Sequence, residues 1–249
     1  MRKIISLLVL VLLFSCNSEN VSDCFQNSGA IIDKEFEVND FTAITVFPRV
    51  ELILSDGPIQ KVTVQTGTYL LDDIELRVED GRLNIYNNNV CNFTRDYGVT
   101  KIFVTAPNIT EIRNASGQTV RSQGVLNYES LSLVSEDFNQ EGDVNTNGDF
   151  DLELNCNALI VDVNNLSSVF LSGEADDLVL RYYSGDARFE GRNLIAQRVD
   201  IFQRSSNDMI INAQQSIIGE IRGVGDVVLV STPSVIDVQQ FYTGQLIIE

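Results

Sequence analysis

The stretch from residue 185 to 229, "GDARFEGRNLIAQRVDIFQRSSNDMIINAQQSIIGEIRGVGDVVL", decides the fold. Three times within it a small polar turn leads into an apolar-x-apolar step: "GDARF" (185–189), "NDMII" (207–211) and "GDVVL" (225–229). Extending the frame backwards adds "SSVFL" (167–171) and "GDVNT" (142–146), so that the anchors are Asp143, Ser168, Asp186, Asp208 and Asp226, spaced 25, 18, 22 and 18 residues apart. The slot after each anchor holds Val144, Val169, Ala187, Met209 and Val227, and two residues on come Thr146, Leu171, Phe189, Ile211 and Leu229. A strand with one buried face that recurs about every 20 residues predicts the stacked rungs of a β-solenoid. In that register Phe189, Ile211 and Leu229 share one inward column, with Arg188 outside. The irregular spacing keeps an antiparallel sandwich as the alternative.

The rest of the chain is built from the same material. "FTAITVFPRVELILSDG", "KVTVQTG", "IELRVEDGRLNIY", "TKIFVTAPNIT", "DLVLRYY" and "RVDIFQ" are short alternating runs punctuated by Gly, Asn or Asp, which is the signature of strands about four to eight residues long. No stretch sustains a 3.6-residue period with caps. The expectation is one all-β domain over residues 36–249.

One segment, "DVNTNGDFDLEL" (143–154), imitates a calcium loop, with Asp143, Asn145 and Asn147 at ligand positions and Gly148 at the sharp turn. The twelfth position, where such a loop needs a bidentate carboxylate, is Leu154. Asp143 also occupies the slot held by Asp186, Asp208 and Asp226, so turn chemistry accounts for it and no metal ligand is assigned.

The N-terminus has Arg2 and Lys3, an apolar run from Ile4 to Phe14, then Ser15 and Cys16. This is the plan of an export signal, too short for a permanent span. "LFSC" resembles a lipobox, which makes residues 1–15 a lipoprotein signal peptide, Cys16 the lipidated residue and 16–35 a flexible tether. The chain has 17 basic and 35 acidic residues; removing Arg2 and Lys3 leaves 15 against 35, a net charge of −20. Such a surface repels nucleic acid, anionic headgroups and polyuronates. Beyond Cys16 the cysteines are Cys24, Cys91 and Cys156. Cys156 sits in the apolar run "LELNCNALIV", which suits a buried thiol and favours a Cys24–Cys91 disulfide, although sequence does not fix connectivity.

The sequence resembles the DUF2807 family of auto-transporter adhesin head (GIN) domains, common in lipoproteins of Bacteroidetes-type bacteria. The likeness runs over about residues 36–249 and rests on "FTAITVFPRVELILSDG", "VEDGRLNIY", "IFVTAPNITEIRNASG" and "IIGEIRGVGDVVLVSTPSVIDV" in that order. The family's small-residue turn survives in "NASGQT", "YYSGDA" and "RGVGDV" and is eroded in "RSSNDM" and "NNLSSV". The resemblance implies a right-handed parallel β-helix and no reaction.

Catalysis finds little support. The chain has no histidine, which removes the commonest general base and most zinc sites. Adjacent carboxylates such as Glu136–Asp137 and Asp176–Asp177 should point to opposite faces of a strand. No catalytic residue and no cofactor is assigned. The expected function is a non-catalytic outer-membrane lipoprotein acting as an adhesin-like module for a glycan or protein. The alternatives are a structural lipoprotein packed against another envelope protein, or a carbohydrate-active β-helix enzyme. The sequence leaves open whether the domain faces outward or into the periplasm. Aromatics that could stack on a ligand are Tyr182, Tyr183, Phe202, Phe241 and Tyr242.

Overall fold

The computed structural model describes residues 23–89, 91–93, 98–138 and 145–249. The signal, Cys16, Asp143 and Val144 lie outside the described residues. The protein is all-β, a curled half-barrel sheet that among the described residues has 17 strands and two single-turn 3₁₀ segments. The strands are β1 (Ile31–Phe36), β2 (Ala43–Val46), β3 (Glu51–Asp56), β4 (Lys61–Gly67), β5 (Ile74–Glu79), β6 (Arg82–Asn87), β7 (Lys101–Ala106), β8 (Glu111–Asn114) and β9 (Val120–Asn127). They continue as β10 (Ser130–Ser135), β11 (Phe150–Val163), β12 (Ser168–Tyr182), β13 (Arg188–Gln203), β14 (Met209–Ile221), β15 (Val227–Leu229), β16 (Val235–Gln240) and β17 (Leu246–Ile248).

Two parallel tracks run through the sheet, and the chain alternates between them. The first half of β11 pairs with β9 and its second half with β10, while β12, β13 and β14 stack on it in turn along their lengths. β15 and β16 then continue the two tracks separately on β14, and β17 follows β15. At the other end the pairing changes sense: β1 with β4, β4 with β7 and β5 with β6 are antiparallel. These strands cover one end of the stack with hairpin-like pairing.

The central strands, at 13 to 16 residues, are longer than the sequence suggests. Each is two short strands joined by a corner without a turn signal. In β11 the buried positions are 150, 152, 154 and 156, then 159, 161 and 163; the alternation slips where Asn157 and Ala158 both face outward. The slip recurs at Asp176–Asp177, Gln197–Arg198 and Gln214–Gln215. The expectation that Asp176 and Asp177 point to opposite faces is therefore wrong: at a corner the two-residue period breaks, and both face out. Asp177 is held by Arg198 at 2.6 and 2.8 Å, which lowers its pKa chiefly through that hydrogen bond.

The parallel ladder corrects the repeat frame as well. Phe150, Val169, Phe189, Met209, Val227 and Leu246 form one column. Phe189 therefore stands beside Met209, not Ile211; Ile211 and Leu229 align with Gly191. The residues before this column are Asp149, Ser168, Arg188, Asp208, Asp226 and Gln245, spaced 19, 20, 20, 18 and 19 apart. A hydrogen-bond staircase explains the recurrent Asp. Asp149 Oδ1 accepts the Ser168 N–H at 2.8 Å, Asp208 the Asp226 N–H at 2.9 Å and Asp226 the Gln245 N–H at 2.8 Å. Phe189 is fully buried, as the alternation requires, and Arg188 is half-exposed on Glu190.

The N-terminal segment is more ordered than a tether to residue 35 would be. β1 lies within it, and a disulfide joins Cys24 to Cys91 (S–S 2.08 Å, Cα–Cα 4.4 Å), closing a loop across 67 residues. Cys156 is a buried free thiol whose pKa burial pushes up to about 11. Among the described residues no helix is long and apolar enough to cross a membrane.

Candidate functional site

The C-terminal halves of β11 to β14 lay their outward side chains in a column: Asp162, Arg181, Phe202 and Glu220, with Gln239 of β16 completing it. One residue past the inward column that follows, the chain leaves the wall into its turn. Tyr183, Arg204, Arg222 and Phe241 occupy this equivalent position on successive rungs, each donating its N–H to the carbonyl of the rung before at 2.7–3.2 Å. Two columns of large side chains thus flank each other along one rim of the sheet, drawn from segments about 20 residues apart by the parallel register.

The aromatic members meet. Phe138 and Tyr183 contact edge to face at 5.1 Å between centroids, and Tyr183 and Phe202 follow at 5.8 Å. The Arg222 guanidinium lies 4.1 Å over the Phe241 ring while also pairing with Glu220. Phe241 and Tyr242 expose 51% and 66% of their surface, Phe241 with one ring face under Arg222. Phe202, Arg204, Glu220, Arg222, Phe241 and Tyr242 line an open groove of about 600 Å³. A second depression of about 400 Å³ shares Phe202 and Glu220 with it and continues past Arg181 and Asp200. Gly219 helps line this second stretch. Its φ of +127° excludes most side chains, and a Cβ there would sit 2.0 Å from the Ile201 carbonyl oxygen.

Of the five aromatics suggested by sequence, Tyr183, Phe202, Phe241 and Tyr242 fall on this rim. Tyr182 does not: it is fully buried, packs edge to face on Phe189 at 6.4 Å, and donates its hydroxyl to the Arg188 carbonyl at 3.3 Å. The reason is period-two geometry, because Tyr182 occupies an inward position of β12 and Tyr183 the first position beyond it. The arginines of the rim were not singled out by sequence. Their signal was present as Arg181, Arg204 and Arg222, each placed within two residues of a rim aromatic or of the same rung position one strand over.

The electrostatics are finely divided. Arg113 and Glu136 pair at 2.9 Å in a largely buried contact, and Arg181 reaches Asp162 at 3.5 Å. Burial raises the Asp162 pKa against the pull of Arg181, and it raises that of Tyr183 together with the nearby Asp162 charge. Asp137 accepts from Asn164 at 2.7 Å, so the Glu136–Asp137 pair is taken up by structural partners. Arg204 differs. Among the described lysines and arginines it is the one whose side chain makes no hydrogen bond, ion pair or cation–π contact, and it is exposed within the groove.

The calcium-like segment is structural where it is described. Asp149 accepts from Ser168, Asp151 pairs with Arg121 at 2.5 Å, Thr146 accepts from Asn165 at 2.6 Å, and Leu154 is buried. Asp143 lies outside the described residues. Among those residues no three His, Cys, Asp or Glu side chains converge as a metal site would require.

Comparison with known proteins places the fold. The family model described as "Putative auto-transporter adhesin, head GIN domain" (DUF2807) matches residues 40–233, and the chain belongs to this family. No curated protein matches the chain. A crystal structure called a "putative adhesin" from Bacteroides fragilis is similar with a TM-score of 0.78 at 20% identity, covering 90% of this chain and 99% of that one. A "putative lipid binding protein" from Parabacteroides distasonis has a TM-score of 0.63 at 14% identity, over 89% and 97%. A "putative adhesin" from Parabacteroides merdae has a TM-score of 0.58 at 12% identity, over 89% and 97%. At these identities the likeness concerns the fold. The family's adhesin-like character suggests a protein of the cell envelope or surface.

Proposed function

We propose that this chain is a non-catalytic outer-membrane lipoprotein, anchored through Cys16, whose β domain is an adhesin-like binding module for a glycan or protein. The observation that carries the reading is the rim groove. Three aromatics from two separate segments, Phe202 and the Phe241–Tyr242 pair, converge there, two of them exposed, beside an arginine that has no side-chain partner among the described residues. Exposed aromatic faces cost hydration unless a ligand covers them, and stacking on sugar rings or partner side chains is what such faces do well. Family membership supports the adhesin-like part.

The proposal includes a right-handed parallel β-helix for the domain. Equivalent strands pair in parallel at steps of 17 to 21 residues, and crossovers between parallel strands are right-handed in nearly all known folds. A second reading, a structural role against another envelope protein, is favoured by the open edge at β16 and β17, where Val235, Ile236, Ile247 and Ile248 are exposed.

Anchoring is tested by mass spectrometry of the mature protein and by fractionation. Residues 1–15 should be absent and diacylglycerol should be on Cys16, and Cys16→Ser should release the protein from membranes. A mutant that still sediments with membranes overturns the anchor. Protease accessibility on intact cells tells display from periplasmic duty. For the groove, a glycan array probed with the mature chain should show binding that Phe241→Ala with Tyr242→Ala abolishes. Retained binding that is instead lost in Ile236→Asp would favour the edge as the functional surface.

A further inference from the structure

Resting on the groove reading, we propose that its preferred ligand is a glycan carrying a single isolated carboxylate on a sugar ring, with the ring on Phe241 or Tyr242 and the carboxylate on Arg204. Every other described arginine is already engaged. Arg181 has Asp162, Arg222 has Glu220 and the Phe241 ring, and Arg49 donates to the Asn87 carbonyl at 2.8 Å. A guanidinium presents a planar fork of donors that fits a carboxylate in two parallel hydrogen bonds. Arg204 offers that fork, unused among the described residues, inside a groove that it shares with three aromatic rings and the paired Glu220 and Arg222.

The neighbours of Arg204 select among anions. Glu220 belongs to the same groove, and Asp200 borders its continuation. Sugar hydroxyls both donate and accept, so a pyranose can use Glu220 as well as the arginines. A phosphate brings only acceptors and more negative charge beside Glu220. An acyl chain would need an enclosed apolar tunnel, whereas this groove is open and edged with charge. The overall charge then sets the scale. Screening reduces interactions between exposed charges beyond about 8 Å at physiological salt. One carboxylate docked at Arg204 thus feels chiefly its immediate partners, while a polyanion laid along the rim meets the acidic surface of a chain that carries 35 carboxylates.

The test titrates the full mature chain with sialyllactose, lactose, octagalacturonate and phosphatidic acid vesicles. Sialyllactose should bind about tenfold more tightly than lactose, the size of one charge-assisted contact, and Arg204→Gln should bring that ratio close to one. Phe241→Ala should weaken both sugars. Equal affinity for the two sugars, or a ratio unmoved by Arg204→Gln, overturns the carboxylate assignment and leaves the glycan groove standing. Binding of neither sugar, with the array also blank, overturns both. Tighter binding of octagalacturonate or of the vesicles than of sialyllactose overturns the preference for an isolated charge on a sugar. Thermal melts matching the parent chain show that the variants are folded, since both side chains are exposed.

Discussion

The packing of Phe189 over Gly191 gives a sharp test of how the inward side chains of β13 fill the core. A methyl group built on Gly191 would stand 2.4 Å from Cε1 and 2.8 Å from Cζ of Phe189, and 3.2 Å from the Ile210 carbonyl oxygen. Ordinary carbon contacts begin at about 3.5 Å, so the ring would have to retreat by roughly 1 Å. It has nowhere to go: Phe189 is fully buried, with Tyr182 edge-on behind it. Overpacking of this kind costs about 1–3 kcal/mol for Gly191→Ala. Phe189→Leu removes the two clashing ring atoms, at about 1–2 kcal/mol of lost burial and cavity. The double variant should then cost no more than the worse single one, a favourable coupling of about 1–2 kcal/mol. Urea denaturation followed by far-UV circular dichroism and by tyrosine fluorescence measures each corner of the cycle. Thermal midpoints should move by about 2–4 °C per kcal/mol. Additive costs, with the double variant losing the full sum within about 0.5 kcal/mol, would refute the placement of the ring over Gly191.

Alkaline titration supplies a second check. Burial holds the Tyr182 and Tyr128 phenols well above the usual tyrosine range. Their folded pKa exceeds the unfolded one, so the stability they protect is whole below about pH 10 and is lost as pH rises beyond it. Absorbance near 295 nm should show at most five of the seven tyrosines ionising before the fold is lost, with the rest ionising during unfolding. Cys156 should resist maleimide at pH 8 in the native protein and react fully in guanidinium, because burial raises its thiol to about 11 and the thiolate is the reactive form; rapid native labelling would contradict the burial. Millimolar calcium should leave the melting temperature unchanged. A filled specific site would stabilise by about 2.7 kcal/mol at a hundredfold excess over Kd, and a calcium-dependent rise abolished by Asp143→Ala would reverse the reading of 143–154.

What the sequence disclosed, and what it withheld, follows from what a local pattern can encode. Alternation placed Val169, Phe189, Met209 and Val227 inward, because side-chain direction has a period of two and one buried face writes it directly into composition. Register was harder. "GDARF" and "GDVVL" look alike, yet Asp226 is a staircase acceptor while Asp186 instead accepts from the Ser206 hydroxyl at 2.7 Å. Gly and Asp mark a turn without marking which residue of the turn they occupy. Aligning on the letters shifted the Asp186 rung by two residues and gave Asp143 the slot that Asp149 holds. The corners went unseen because they carry no Gly or Pro, although the doubled polar pairs Asp176–Asp177 and Gln214–Gln215 interrupt the alternation and could have been found. The rim groove was half legible. Aromatic identity named three of its members, but only the register could join Phe202 to Phe241 across one rung or show Arg204 unengaged.

The spacing of the inward column also governs how a chain of this design can change length. A residue inserted inside β13 would send the following side chains to the wrong side until the next corner reset them, placing groups such as Asp200 in the core and Ile201 in water. A residue added to the turn after Gln203 would stay outside the wall and disturb little. A block of about 19 residues, added or removed whole, leaves every remaining column aligned. Growth by copying a unit is therefore the structurally cheap route, so longer and shorter siblings of this wall should differ by whole units, with odd-sized insertions gathered at the turns. The rim would lengthen in step, gaining with each copied unit one more position in each of its two outward columns.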